Sequence, residues 1–294
     1  MGWMFHVKHE AARWLPLVRC VATDPVRVAL GHPVRTARRE GVPRVTHSDS
    51  GVADPDVADP LVDDDRVMAF LGDAYAVLAR FHGLLIDQGV VRGLLGPRES
   101  FRLWERHLLN SAAAAQFLPV DGRLIDLGSG AGLPGIVLAA MLPDVEVMLL
   151  EPMERRAEWL VEVAAQLRLP NIEVRRGRAE ELHGTLEVAA VTARAVAPMD
   201  RLGRWALPLL VRGGVLVALK GRRAVDEVDA ARSELTRLGA GEPEIFEAST
   251  IAGVGSTTVV RVVRENVRGS SSAQTRARRG AARERERDMR GESQ

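Results

Sequence analysis

Cysteine is almost absent from this chain of 294 residues: Cys20 stands alone. One thiol excludes a disulfide framework within the chain and any cysteine-rich metal site, so no metal is expected. It also leaves no cysteine nucleophile unless Cys20 itself serves. Lysine is nearly as scarce, with Lys8 and Lys220 set among basic residues that are otherwise arginine. Enrichment in alanine, valine, glycine and arginine is what a GC-rich genome produces, so the number of arginines is no argument for RNA binding. The formal net charge is +1, and no global field draws the chain to nucleic acid. No apolar run approaches the ~20 residues that span a bilayer. Residues Met1 to Cys20 scatter His, Lys, Glu and Arg without a continuous apolar stretch, so they do not read as a secretory signal. A cytoplasmic protein with no membrane partner is expected.

What is present divides the chain into three parts. Residues 1–60 mix Pro, Asp, Gly, Val and His with no sustained period, and Asp54-Pro-Asp-Val-Ala-Asp-Pro60 reads as extended linker, so this segment is expected to be a disordered N-terminal extension or to belong to a start site placed too early. From Asp64, apolar residues recur at helical spacing (Val67, Phe70, Leu71, Ala74, Leu78, Phe81, Leu85) up to a stop at Gly89. A second helix is expected from about Pro97 to Phe117, so that residues 64–118 form a helical cap. Strand and helix patterns then alternate through residue 264. This predicts an α/β domain over residues 61–264, a doubly wound, mostly parallel sheet with helices on both faces. Residues 265–294 turn to Arg, Glu, Ser and Gly and read as a solvated tail whose arginines could lie on a phosphate backbone.

The densest signal is Leu124-Ile-Asp-Leu-Gly-Ser-Gly-Ala-Gly-Leu-Pro-Gly135, an apolar strand running into a glycine-rich turn and an apolar helix. Gly128, Gly130 and Gly132 let the backbone bend and approach a ligand with no Cβ in the way, and Pro134 suits the first turn of a helix. A following strand, Val145-Glu-Val-Met-Leu-Leu150, delivers Glu151 about twenty residues beyond the glycines, where a carboxylate can accept from both hydroxyls of a ribose. Asp126, two residues before the first glycine, repels phosphate and suits a cationic ligand, or else ties the loop to its own backbone. S-adenosylmethionine carries a sulfonium and an amino group and no phosphate. The pattern Asp-Leu-Gly-Ser-Gly-Ala-Gly resembles the first motif of class I methyltransferases.

Ligands of such sheets sit at the carboxyl ends of the strands near the switch in strand order, which gathers Gly128 to Leu133, Glu151, Arg178-Ala179-Glu180, Arg194 and Lys220 around one crevice. Arg194 interrupts an apolar strand at its end and needs a partner, and Lys220 is a retained point charge at another strand end. In Leu103-Trp-Glu-Arg-His-Leu-Leu-Asn-Ser111, His107 and Asn110 lie one helical turn apart. His107 is read as a catalytic candidate or as a hydrogen-bonded core histidine. Two absences narrow the reaction. No cysteine for attack on a pyrimidine lies in the α/β domain, and Ala193-Arg-Ala-Val-Ala-Pro198 stands where an Asn/Asp-Pro-Pro-aromatic loop would serve an exocyclic amine. Guanine N7 already carries a free lone pair and needs neither device. An arginine can pair with that edge of the base, and catalysis would be mainly positioning.

Pro97-Arg-Glu, Leu103-Trp-Glu-Arg-His-Leu-Leu-Asn110, Asp126-Leu-Gly-Ser-Gly-Ala-Gly-Leu-Pro-Gly135, Arg176-Gly-Arg-Ala-Glu180, Thr192-Ala-Arg-Ala-Val-Ala-Pro198 and Ala218-Leu-Lys-Gly221 together resemble the RsmG (glucose-inhibited division protein B) family. The resemblance covers about residues 64–264. It implies a class I, Rossmann-like fold and S-adenosylmethionine-dependent methylation of N7 of one guanine in 16S rRNA. The partner is then 16S rRNA, the 30S subunit or its precursor, and the enzyme is expected to be a monomer. Carried over by position, cofactor contacts fall on Gly128, Leu133, Ala179, Glu180 and Arg194, beside Asp126, Gly130 and Glu151 from the turn itself. Arg194, Lys220 and His107 are the candidates for catalysis. A methyltransferase of a small molecule or protein, and a non-catalytic RNA-binding protein with a cofactor fold, are the alternatives.

Overall fold

The computed structural model describes residues 26–28, 59–96 and 98–265. Its centre is a sheet whose strands are β1 (Val26–Val28), β2 (Gly122–Leu127), β3 (Val145–Glu151), β4 (Ile172–Arg176), β5 (Val188–Arg194), β6 (Leu210–Lys220), β7 (Glu244–Ala248) and β8 (Thr257–Val263), in the order β1-β7-β8-β6-β5-β2-β3-β4. The run β4-β3-β2-β5-β6 is parallel, while β8 and β7 add antiparallel strands beyond β6. This is the doubly wound, Rossmann-like sheet that the alternating pattern predicts. The strand order reverses between β2 and β5, which opens a crevice at their carboxyl ends.

Burial explains the strand sequences. β2 and β3 lie inside the sheet, covered on both faces, and so read as near-continuous apolar runs rather than alternating ones. Leu124 enters one core with Phe81, Trp104, Ile136 and Trp159, while Ile125 and Leu127 enter the opposite core with Met199, Leu202 and Leu216. The edge strand β4 alternates between partly buried and exposed positions.

The helices are α1 (Asp65–Leu71), α2 (Ala74–Gln88), α3 (Asn110–Ala112), α4 (Gly135–Met141), α5 (Glu154–Leu167), α6 (Met199–Ala206) and α7 (Ala224–Arg237). The cap departs from the two-helix expectation. Its first periodic run breaks at Gly72, whose φ of +53° takes the chain out of helical geometry, and α1 and α2 meet at 118°. Its second run holds a π-helix over Trp104–Leu109, with the three-residue α3 immediately after it. A helical period cannot tell these states apart, because the same apolar residues are buried in each. Among the described residues no single helix is long and apolar enough to cross a membrane.

Residues 1–60 are expected to be a disordered extension, with 54–60 as extended linker; within them, Val26–Val28 pairs antiparallel with β7 and Asp59 is buried. Asp59 accepts hydrogen bonds from Leu61 N at 3.1 Å and from Trp104 N at 2.7 Å, tying the start of the domain to the π-helix. The rest of the expected linker before Asp59, and the arginine-rich tail from Asn266 onward, lie outside the described residues.

Candidate active site

The glycine turn closes the carboxyl end of β2 and is pinned from below. Gly128 N and Ser129 N both donate to Leu150 O of β3, at 2.8 and 3.2 Å, and the Trp159 indole N–H of α5 donates to Ala131 O at 3.0 Å. The glycines do different work. At Gly132 (φ +99°) a Cβ would meet Ile136 Cδ1 at 2.3 Å, and at Gly135 it would meet Leu149 Cδ2 at 2.3 Å and Asp126 Oδ2 at 2.5 Å. Gly132 makes room for Ile136 and Phe81, and Gly135 lets α4 pack closely against the sheet. Gly130 (φ +58°) has no atom nearer than 3.8 Å to a Cβ, so the space above it is open. Leu133 is buried at the end of the turn, just before α4.

Asp126 is fully buried. Its Oδ2 accepts from Ser129 Oγ at 2.6 Å and from Gly135 N at 2.9 Å, while its Oδ1 has no hydrogen-bond partner among the described residues. The loop-tying reading of this residue is met by Oδ2. Burial pushes the carboxyl up to about 6, against the opposing pull of its two hydrogen bonds. Glu151, also buried, accepts from Gly130 N at 2.9 Å through Oε2 and from Met153 N at 2.9 Å through Oε1. Each of its oxygens retains a second lone pair. Ala179 is buried and Glu180 exposed on the 3-10 turn Ala179–Leu182, which begins three residues beyond the end of β4.

Arg194, Lys220 and His107 belong to a second group, which lines an open cavity of about 530 Å³ between the π-helix and the ends of β5 and β6. Arg194 does not end in a surface salt bridge. Its Nη2 donates to Arg106 O at 2.9 Å and to His107 Nδ1 at 2.8 Å, and its Nη1 to His107 O at 3.2 Å and Ser111 Oγ at 3.3 Å. Because guanidinium can only donate, His107 Nδ1 accepts and the ring proton sits on Nε2, 2.7 Å from Glu99 Oε2. Both ring nitrogens are thus engaged. Burial, then the neighbouring Arg194, holds the imidazole below its usual pKa, and burial pushes Arg194 down to about 10, still cationic at neutral pH. Lys220 Nζ, 2.6 Å from Ala197 O and 2.8 Å from Glu227 Oε2, faces the same cavity.

Val196 joins the two groups. It lines the cavity, and its Cγ2 lies 3.0 Å from where a Cβ on Gly128 would stand. The adjoining Ala195 holds φ +54°, a strained conformation for a residue with a side chain, at the corner between β5 and the cavity wall. Sequence reasoning did not single out Glu99 or Glu227. Glu99 lies within the Pro97-Arg-Glu block, but its role depends on a histidine eight residues away. Glu227 follows Lys220 by seven residues, on a helix whose apolar positions pack into the core and whose acids read as its solvated face.

Residues 74–250 match a family described as rRNA small subunit methyltransferase G. A protein of Nocardioides sp. named ribosomal RNA small subunit methyltransferase G is 49% identical over 204 residues, covering 69% of this chain and 82% of its own. One of the same name from Thermobifida fusca is 51% identical over 205 residues, covering 69% of this chain and 85% of its own. Among solved structures, an S-adenosylmethionine-dependent O-methyltransferase of Thermotoga maritima is 18% identical, with a TM-score of 0.43 over 55% of this chain and 66% of that one. With its family-wide match and half-identical relatives, this chain belongs to the rRNA small subunit methyltransferase G family.

Proposed function

We propose that this protein transfers a methyl group from S-adenosylmethionine to N7 of one guanine in the 16S rRNA of the small ribosomal subunit, and that it acts in the cytoplasm as a monomer. The observation that carries the reading is Asp126 Oδ1, a buried carboxylate oxygen without a partner among the described residues, at a glycine turn that is open above Gly130. A negative, phosphate-repelling group in that place fits a cationic cofactor and not a dinucleotide. Gly128, Gly130 and Leu133 would hold the cofactor along the turn, Asp126 would face its cationic end, and Glu151 would take the ribose. Ala179 and Glu180 would flank the adenine. When bound, S-adenosylmethionine supplies an electrophilic methyl on a positively charged sulfur.

The residues of the second cavity have the acceptor to manage. N7 of guanine has an in-plane lone pair and no proton to lose, so the new carbon–nitrogen bond forms without a general base. His107 suits such a reaction as a positioning group rather than a proton acceptor, since Arg194 and Glu99 occupy both of its nitrogens. Arg194 holds the π-helix wall of the cavity against the end of β5, and Lys220 places a positive charge at the end of β6. Methyl transfer measured on purified 30S subunits and, in parallel, on cell metabolites and proteins tests the reading. Label in rRNA supports it, and label confined to the other pools overturns it.

A further inference from the structure

The cavity at the end of β5 and β6 contains two carboxylates, Glu99 and Glu227, and they differ in how far their oxygens are committed. Glu99 is used on both sides: Oε1 receives Arg106 Nη1 at 3.0 Å and Oε2 receives His107 Nε2 at 2.7 Å. Glu227 receives Lys220 Nζ on Oε2 at 2.8 Å, and its Oε1 accepts no hydrogen bond from any described residue. Lys220 in turn spends two of its three N–H donors, on Glu227 and on Ala197 O. The lysine side chain is 9% exposed and the glutamate 26%, so the pair is largely withdrawn from water while still facing the cavity.

Position in the sheet gives this pair a direction. The glycine turn stands at the end of β2, Arg194 at the end of β5 and Lys220 at the end of β6, and these three strands are neighbours in that order. Strands are spaced about 4.8 Å apart, so the Lys220–Glu227 corner lies roughly 10 Å from the turn, which adjoins the cavity at Val196. A purine bridges much of such a gap. In guanine, N1–H and the 2-amino group lie on one edge, O6 lies between, and N7 lies on the other side. The cavity volume of about 530 Å³ is that of a small-ligand pocket, about 300–1,000 Å³, and enzymes that act on a base within RNA take it out of its stack.

Resting on the activity proposed above, we infer that this cavity receives the single extruded guanine and that Glu227 is its specificity-determining residue. Its carboxylate accepts N1–H and the 2-amino group, and the third N–H of Lys220 donates to O6. N7 is then turned toward the glycine turn. Adenine is refused because it has no N1–H or 2-amino donor and presents an amino group to Lys220. Methylation leaves the base cationic, and the carboxylate beside N1 favours that charge.

The test uses the full chain and 30S subunits reconstituted with 16S rRNA carrying guanosine or inosine at the methylated position. Inosine lacks the 2-amino group and nothing else. The wild-type protein should favour guanosine in kcat/KM by about tenfold to a hundredfold, the worth of a hydrogen bond to a charged group. In Glu227→Gln the preference should collapse to about threefold or less through slower use of guanosine, with S-adenosylmethionine binding unchanged. Glu227→Asp keeps the charge and should recover part of the preference; it carries the test if Glu227→Gln does not fold. A variant that discriminates as strongly as the wild type overturns the inference, as does a wild-type protein that uses both RNAs equally well. A wild-type protein that methylates neither RNA overturns the proposed activity itself, and this inference with it.

Discussion

Arg194 Nη2 lies 2.8 Å from His107 Nδ1, which joins the end of β5 to a π-helix through a neutral imidazole whose other nitrogen faces Glu99. The same guanidinium serves the carbonyls of Arg106 and His107. π-helices are rare and concentrate at functional sites, and here the widened turn presents two carbonyls to one arginine. The cavity wall is therefore set by strand β5, not by the helix alone.

Removing that arginine should cost stability as well as activity. Arg194→Ala leaves two carbonyls, Ser111 Oγ and His107 Nδ1 without their donor, an expected loss of about 2–4 kcal/mol in denaturant unfolding together with at least about a tenfold fall in methyl transfer. Arg194→Lys keeps the charge but not the fork, so it should fall between. An unchanged unfolding midpoint in Arg194→Ala would show that these hydrogen bonds do not hold the wall.

The start of the domain is fixed more sharply than composition suggests. Asp59→Ala removes the acceptor for Trp104 N and Leu61 N and should lower stability by about 1–3 kcal/mol, as should trimming the chain to begin after Leu61. Calorimetric melting of these variants beside a chain that begins at Asp59 separates the contribution of this carboxylate from that of everything before it. Equal melting of Asp59→Ala and wild type would contradict the assignment.

Two glycines of one turn should fail in different ways. Gly130→Val meets no side chain, so its cost to the fold is the backbone strain of a φ of +58°, about 1–3 kcal/mol, and the folded variant should lose S-adenosylmethionine binding by calorimetry. Gly132→Ala drives a Cβ into Ile136 at a φ of +99° and should destabilise the fold by about 2 kcal/mol or more before binding is considered. Undiminished cofactor affinity in folded Gly130→Val would remove the turn from the site.

Asp126 gives a pH signature with two opposite slopes. Its folded pKa, about 6, is raised above the ordinary value of 3.8, so between these values the folded chain binds more protons than the unfolded one. Its contribution to stability is then most favourable below pH 4 and declines as pH rises through 6. Affinity for a cationic cofactor should run the other way, rising from pH 5 to 7 as the carboxylate ionises. Asp126→Asn should flatten both slopes; persistence of the affinity slope in that variant would assign it to another group.

Much of this site was legible in the sequence because it depends on local order. The strand, glycines, acid and second strand of the βαβ unit fall within residues 122–151, and spacing alone brings Asp126, Gly130 and Glu151 together. The alternation of strand and helix through residue 264 was readable for the same reason. The second cavity was only half legible. Arg194 and Lys220 announce themselves as charges ending apolar strands, but their partners lie elsewhere: Arg106 and His107 are 88 and 87 residues from Arg194. The π-helix and the Gly72 break were hidden because burial selects the same apolar positions in either geometry. Asp59 was hidden because a buried acid that caps a distant backbone N–H has the same sequence signature as a linker acid.

The central claim is the methylation itself, and the most direct measurement is the position and chemistry of the methyl group. The full chain is incubated with methyl-labelled S-adenosylmethionine and 30S subunits from cells lacking the enzyme, and the labelled rRNA is digested and mapped by mass spectrometry. A single N7-methylguanosine in 16S rRNA is the predicted result. Label on another atom or another base, or no label in rRNA while the protein binds S-adenosylmethionine, would contradict the account.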